Sequence, residues 1–352
     1  MIKKRILPLE SSLKIQSPAR RCKIPWSRPQ GSLLRFLIPP LGSGLLAVLL
    51  FLSFLFPTQS RGAACCARNS STPSLIIGDD WSQFNFGYAY SSAIALAGES
   101  GQASYFPAEV QEGIQTYRLD AATLLSDRFQ VGASLFLVNH RLTHSYISDS
   151  STGIGDVRLS AGYEALPDWS YSIWKPQIYL FSSATIPTGR SLEQSQKSSY
   201  TDVTGNGFFS LSLGSLFIKR WVVWDAFLLS ELHYSLPRTF ENDAVEFKKF
   251  RVEPGWGGSL GVGLGMSPGG GALRLGLRVM PRYEQGKMNV GIDHKKDIGF
   301  IATCDVGADL GYLLTSQDTV MVAFTDQTLL GPSYNSNLNR VLAINFQHRW
   351  ER

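Results

Sequence analysis

Glu231-Leu-His233-Tyr-Ser235 sets a carboxylate, an imidazole and a hydroxyl at alternate positions. In a hydrolase such a trio activates a serine, the imidazole taking the hydroxyl proton and the carboxylate orienting the ring. On a strand all three would face one side. Successive same-side residues lie about 6.6 Å apart, however, too far for the hydrogen bonds that a triad needs. No nucleophile elbow, metal-ligand cluster or Gly-rich phosphate loop accompanies them. His140 and His144 offer two metal ligands without a third. The expectation is a chain that is not an enzyme, with no cofactor and no metal. Arg274, Arg278 and Arg282 recur every fourth residue, which on a strand is one face. They form either a basic ladder along a pore, with weak anion preference, or partners for acids on neighbouring strands.

These residues lie in segments that alternate in character with period two. Phe129, Val131, Ala133, Leu135 and Leu137 oppose Gln130, Gly132 and Ser134. Leu159, Ala161 and Tyr163 oppose Arg158, Ser160 and Gly162, and Phe209, Leu211, Leu213 and Phe217 oppose Ser210, Ser212 and Gly214. The same holds for 256–266, 273–279, 300–312 and 342–350, with weaker segments near 82–96, 114–124, 176–186, 221–235 and 319–327. That makes about twelve strands, several longer than the roughly 5–6 residues usual in soluble sheets and suited to crossing a bilayer at a tilt. No apolar stretch after Trp81 has the length of a transmembrane helix.

The connections alternate long and short. Long ones are expected near 97–112, 139–152, 187–205, 236–251, 285–297 and 328–337. Short ones are expected near 125–128, 219–220, 267–270 and 314–318, with a medium one near 165–175. Outer-membrane barrels have short periplasmic turns and long external loops. Twelve strands with both termini inside the cell envelope put every long connection outside. Trp81, Tyr163, Trp221, Trp224, Tyr234, Trp256, Tyr283, Tyr312 and Trp350 fall near strand ends, as interfacial girdles do. The fold class is therefore all-β: a single closed antiparallel transmembrane barrel, preceded by a signal peptide. It is expected in the outer membrane of a Gram-negative-type bacterium.

Composition agrees. Only 17% of the 352 residues are charged, against 44% hydrophobic and 12% aromatic, and there are 33 Gly. Disordered and coiled-coil chains are excluded, and four Cys cannot build a disulfide scaffold. The net charge of +5 misleads. Residues 1–67 hold ten of the 33 Lys/Arg and one of the 28 Asp/Glu, so the remainder, 23 basic against 27 acidic, is net −4. A nucleic-acid partner loses its main support. The basic stretch leads into the apolar run 45–56, then Pro57 and Gly62-Ala63-Ala64, the order of a secretory signal. Residues 1–64 read as a leader, 65–80 as a short segment, periplasmic or inserted in the lumen, and 81–352 as the barrel. Cys65 and Cys66 follow small residues as a lipidated cysteine would, though Gly62 stands where such sites favour Leu.

Inward positions carry both charge signs: Arg118, Asp120, Asp156, Arg158, Asp225, Glu231, Arg274, Arg278, Arg282, Asp305 and Asp309. These are the lumen-lining candidates, and they suit a lumen laced by ion pairs. Cys304 is expected on the lipid side as a small apolar filler.

Gly153-Ile-Gly155-Asp156 runs into a strand, and about 30 residues later Pro187-Thr188-Gly189 closes the next one. This pair of motifs resembles the family named for the meta pathway of phenol degradation, outer-membrane transporters. The direct match covers some 40 residues. The resemblance implies a barrel of about twelve strands and uptake of hydrophobic or aromatic compounds. The partners expected are the lipid bilayer, the outer-membrane assembly machinery and a small solute, with the chain most simply a monomer. Two other readings stand beside a channel: a structural or surface-interaction barrel with a plugged lumen, and a lipid-modifying barrel enzyme.

Overall fold

The computed structural model describes residues 73–144, 147–168, 172–242, 248–269, 271–290, 295–297 and 299–351. The leader, most of the 65–80 segment, Cys65 and Cys66 lie outside them. Eighteen strands follow in order: β1 (Asp80–Ala97), β2 (Ala103–Tyr105), β3 (Gln111–Leu124), β4 (Phe129–His144), β5 (Ile147–Ile154), β6 (Val157–Leu166), β7 (Gln177–Ile186), β8 (Ser210–Arg220), β9 (Trp224–Ser235), β10 (Arg238–Asn242), β11 (Lys248–Glu253), β12 (Gly255–Met266), β13 (Leu273–Glu284), β14 (Met288–Val290), β15 (Lys295–Asp297), β16 (Ile301–Leu313), β17 (Asp318–Asp326) and β18 (Ser336–Glu351).

Twelve of them make the wall. Each long strand pairs antiparallel with its sequence neighbour in the order β1-β3-β4-β6-β7-β8-β9-β12-β13-β16-β17-β18, and β18 returns to β1 from Asp80↔Glu351 to Ala97↔Ser336. That last ladder closes the sheet, so no long edge is left without hydrogen-bond partners. β10, β11, β14 and β15 form a separate four-stranded sheet from the two connections that flank β12 and β13.

The period-two alternation sets the wall's polarity. Leu135, Leu159, Leu211, Leu264, Leu277 and Leu342 project outward, 47–67% exposed, with their same-side neighbours. Their sequence neighbours Ser134, Ser212 and Arg278 are buried inside. Such an outward-apolar surface is what hydrocarbon demands. Near the short turns Trp81, Tyr163, Trp224, Tyr312 and Trp350 face out, and near the long connections Trp256 and Tyr283 do so. Tyr234 stacks on Trp256 with ring centroids 4.8 Å apart, and Tyr283 on Phe300 at 5.8 Å.

The connections at the β1 start run 125–128, 167–176, 221–223, 267–272 and 314–317, four short and one medium, and the opposite end carries the others, of nine residues or more. Two expectations change. Residues 139–152 are not a loop: β4 runs on to His144 and pairs with β5 from Leu137↔Ile154 to His144↔Ile147. Polar side chains such as Thr143, Ser148 and Ser150 masked this extension, since it stands beyond the apolar band and needs no greasy face. The turn expected at 219–220 lies at 221–223, because Lys219 and Arg220 stay on the ladder opposite Ala226 and Asp225.

One wall position breaks a strand rule. Pro281 sits inside β13, facing out. The β12–β13 ladder runs Ser259↔Arg282 and resumes at Val262↔Val279. The two skipped pairs are those that need an amide hydrogen on residue 281, which proline lacks.

The face assignment yields a test. Leu228→Arg, placing charge in hydrocarbon at mid-wall, is expected to cost about 2–4 kcal/mol of barrel stability. Ser210→Arg, aimed at an internal cavity, is expected to fold and keep its heat-modifiable gel mobility. Equal damage from both, in denaturant unfolding in lipid vesicles, would contradict the assignment.

Candidate functional site

The inside of the barrel is built from the alternate positions that the outer face leaves free. On β13, Arg274, Arg278 and Arg282 point inward, one above the other. Arg274 is clasped by Asp225 of β9 (Nε–Oδ2 2.9 Å, Nη2–Oδ1 2.7 Å) and by Asp309 of β16 at 2.6 Å. Arg278 reaches Asp309 at 3.5 Å and donates to Thr325 at 2.8 Å. Arg282 lies 3.1 Å from Asp305, whose other oxygen accepts from Gln327 at 2.8 Å. On β3, Arg118 donates to Asp120 at 2.7 Å. Each arginine of the ladder thus faces an aspartate across a strand boundary. Charges removed from water need such partners, since an unpaired one costs several kcal/mol.

Arg158 and Glu231 belong to a different environment. They line a cavity of about 570 Å³ in the half of the lumen nearest the long connections. Its walls carry Ser183, Ser212, His233, Ser259 and Glu284 from the strands, and its roof is formed by Thr204–Asn206, Gln285 and Lys287. Apolar groups, Phe136, Val138, Phe208 and Ile301, share the lining. Such a mixed lining suits a small amphipathic solute better than a bare ion or a bare hydrocarbon.

Asp156 lines the same cavity but is committed to its roof. It sits where β5 gives way to β6, and its two oxygens accept from the backbone amides of Gly189 (3.0 Å) and Asn206 (2.7 Å). Thr188 donates to the Gly155 carbonyl at 2.7 Å and accepts from the Val157 amide at 3.1 Å. Gly205 packs directly on the Asp156 carboxylate, leaving no room for a side chain. The two motifs some 30 residues apart are therefore one junction, which folds the 187–209 connection over the mouth. Gly153 stands beside Thr204 in the same junction, and Pro187 follows the last residue of β7.

Two further carboxylates hold that connection. Asp149 of β5 accepts from Lys197 (2.8 Å), Ser199 (2.5 Å) and Thr201 (2.9 Å), and these hydrogen bonds hold its carboxyl well below the usual carboxylate range. Asp202 accepts from Arg190 (2.9 Å), Ser195 (2.5 Å) and the Gln196 amide (2.9 Å). Burial pushes the Asp202 carboxyl up, but those donors outweigh it and bring it down to about 2.

The Glu231–His233–Ser235 trio is not assembled as a triad. His233 pairs with Glu284 of β13 at 2.9 Å, and Ser235 bonds to Ser210 at 2.6 Å. His140 is held by Glu112 at 2.9 Å, on β4 rather than in a loop, while His144 is exposed. Cys304 is half-buried on β16 opposite Pro281.

Below the cavity the lumen departs from the expected small and polar lining. Tyr179, Phe181, Leu216, Ile218, Phe227, Leu229 and Met280 all turn inward and form one buried apolar cluster. Leu75 completes it from the N-terminal segment, with Ile77 packed alongside. The segment at 73–79 is thus threaded into the lumen, the placement that the sequence left open for 65–80. Gln130 grips it like a strand partner, accepting from the Ile76 amide at 2.6 Å and donating to the Ile76 carbonyl at 3.1 Å. Gln83 donates to the Leu75 carbonyl at 2.7 Å and is itself held by Gln347 at 2.8 Å. Beyond this septum a second cavity of about 430 Å³, lined by Asp79, Asp127, Arg128 and Glu164, faces the short-turn end. The missed signal was present in the sequence: Leu216-Phe-Ile218 and Phe227-Leu-Leu229 are apolar on both faces, the mark of a strand buried on both sides.

No family model matches the chain, and no curated protein matches it. Among solved structures the barrel is similar to an outer membrane channel from Pseudomonas putida F1, with a TM-score of 0.60 and 12% identity over 81% of this chain and 100% of that one. The beta domain of the Bordetella autotransporter BrkA aligns with a TM-score of 0.42 and 11% identity over 78% of this chain and 100% of that one. The first likeness is one of fold: a closed β-barrel of the outer-membrane kind.

Two outcomes check this geometry. Arg274→Ala strands Asp225 inside the barrel and leaves Asp309 only its 3.5 Å contact with Arg278, and is expected to cost about 3–5 kcal/mol in denaturant unfolding. Exposed Arg251→Ala on β11, paired only with Glu253 at the surface, is expected to cost less than about 1 kcal/mol. The Asp202 anchor follows the linkage sign of a depressed carboxyl. Its stabilisation is complete above about pH 4, the ordinary value, and is lost as pH falls through about 2. A spin label at Ser198 should keep one mobility from pH 8 to pH 4 and loosen only towards pH 2.

Proposed function

We propose that this protein is an outer-membrane channel that passes small molecules, with the cavity at Arg158, Glu231 and Arg282 as the place where a solute pauses. The observation that carries this reading is the division of the lumen: two cavities, one towards each end, separated by an apolar septum whose removable part is a peptide segment rather than a strand. A barrel needed only as a scaffold could fill its interior with side chains throughout. The outward-apolar band, the sorting of long connections to one end, and the fold shared with an outer membrane channel support the membrane placement. The junction of Gly153, Gly155 and Asp156 with Pro187, Thr188 and Gly189 supports membership of the phenol-degradation meta-pathway family, and with it a hydrophobic or aromatic cargo. The mixed lining fits an aromatic solute that carries a polar group.

In this reading the solute enters past the 187–209 connection and displaces water from a pocket whose serines and Arg158 hold its polar end. Passage onward requires the 73–79 segment to shift from Phe181, Leu229 and Met280. Its grip is a few hydrogen bonds, each worth about 0.5–1.5 kcal/mol net, and the burial of Leu75 and Ile76, each worth about 1.5–3 kcal/mol, so release is a local opening that costs far less than unfolding the wall. The lumen-lining charges keep the wall round and polar while this happens. The protein is read as monomeric, exported through its leader and inserted by the assembly machinery.

The plugged-lumen alternative makes the opposite forecast. In planar bilayers the wild type is expected to show small, intermittent conductance, and Gln83→Ala/Gln130→Ala, which frees the segment, is expected to raise open probability several-fold. Vesicles holding the variant should also take up small aromatic acids faster. If neither protein passes ions or solute while both are folded, the barrel is structural and the channel reading is wrong.

A further inference from the structure

The cations inside the barrel have acids beside them, but two arginines stand on its outside. Arg340 of β18 shares the outward face with Leu342, Ile344 and Phe346, and Arg141 of β4 shares it with Leu135 and Leu137. The ladders put both at one height. Arg340 is opposite Ser92 of β1, Ser92 is opposite Gly113 of β3, and Gly113 is opposite Arg141. Neighbouring strands lie about 4.8 Å apart, so three steps separate the two arginines by roughly 14 Å at the backbone. Long, flexible arginine arms cover that span from both sides.

Only small residues stand between them. Gly113 is required for what fills the gap: a Cβ there would lie 2.9 Å from the hydroxyl oxygen of Tyr90. The Tyr90 ring, outward on β1, therefore brings its hydroxyl onto the same shelf as the Ser92 hydroxyl. The row presents two guanidinium groups and two hydroxyls. Its one carboxylate, Asp326, lies at the far end, where it accepts from Arg340 Nε at 2.7 Å and from the amide and hydroxyl of Thr328 at 2.7 and 2.6 Å. The Arg340 side chain is still 53% exposed, its terminal nitrogens beyond that bond. Among the described residues Arg141 makes no hydrogen bond or ion pair, and it is exposed.

Leu342 and Tyr90 lie one outward position further in, level with Gln115 and Asn139, and the apolar face is continuous from Tyr117 and Leu137, two positions in; the long connections lie above. The shelf thus stands at headgroup height, just outside the hydrocarbon of the leaflet that the long connections face. At that height a phosphate is the acceptor that the membrane supplies in quantity. Two guanidinium groups with hydroxyls between them match the oxygens of a phosphorylated headgroup, as arginine forks do elsewhere. We propose that Arg141, Ser92, Tyr90 and Arg340 form a binding site for the phosphorylated headgroup of an outer-leaflet glycolipid, held against the wall between β4 and β18. The inference rests on the bilayer placement of the barrel and is independent of whether the lumen conducts.

Native mass spectrometry of the protein released from phosphatidylcholine nanodiscs doped with lipid A tests it. The wild type is expected to retain lipid A in preference to phosphatidylcholine and phosphatidylglycerol. Arg141→Gln/Arg340→Gln should retain it roughly tenfold or more weakly. Because Arg340→Gln also frees Asp326, Arg141→Gln alone is the second variant; it disturbs no contact of the fold and should lose part of the retention. Undiminished retention in Arg141→Gln and in the double variant would overturn the proposal. So would retention of phosphatidylglycerol equal to lipid A, or full displacement by millimolar inorganic phosphate, which would mark a phosphate site and not a lipid one. A wild type that retains lipid A yet passes no solute leaves this site standing and removes only the channel reading.

Discussion

Pairing of the backbone in a medium without water is the constraint on which the rest of this structure depends. Hydrocarbon offers no partner to an N–H or C=O group, so an all-strand wall has to close on itself. The ladder between β1 and β18, from Asp80↔Glu351 to Ala97↔Ser336, does so between strands at opposite ends of the folded sequence. Closure fixes the two faces: each side chain then points either to lipid or to the lumen, and a slip of one residue would exchange every Leu for its Ser or Arg neighbour. Pro281 shows how narrow the tolerance is. One missing amide removes two pairs from the β12–β13 ladder, and the register recovers at Val262↔Val279.

Closure also creates the interior and its difficulty. Side chains that leave the lipid face are crowded into a space with little water, where a charge alone is expensive. The answer along β13, β16 and β9 is to alternate signs across strand boundaries, so that Arg274 holds Asp225 and Asp309 together. Such pairs add little over an apolar filling, but losing one partner leaves the other charge buried alone. Beside the ion pairs the lumen is filled by apolar groups and a peptide segment, Phe227 standing level with Arg278, and the cavity at Arg158 and Glu231 lies above that cluster.

The mouth is governed by local electrostatics of a different kind. Three aspartates, 149, 156 and 202, gather donors from a connection that otherwise has only a single short 3-10 turn of regular structure. Each replaces a missing ladder with carboxylate acceptors, so a long loop lies still over the cavity without a core of its own. The same principle, donors arranged around an anion, operates on the outer wall at Arg141 and Arg340, where the anion is supplied by the membrane.

The alternation of Leu211 with Ser210 and of Leu277 with Arg278 was enough to determine strands, their two faces and a closed transmembrane barrel, because period two is a local property of extended chain. The alternation of connection lengths told which strand ends share a rim for the same reason. The polar extension at 139–152 escaped, since strands standing beyond hydrocarbon need no apolar side. Inward charges could be named from parity, but not their partners: that Arg274 of β13 meets Asp225 of β9, 49 residues away and across Gly265 of the intervening β12, is decided by the order of the strands and their heights. The placement of Leu75 and Ile76 inside the lumen, and the meeting of Asp156 with Gly189 and Asn206, likewise belong to the tertiary structure alone. Periodicity tells which way a side chain points, while only the closed wall decides what stands opposite it.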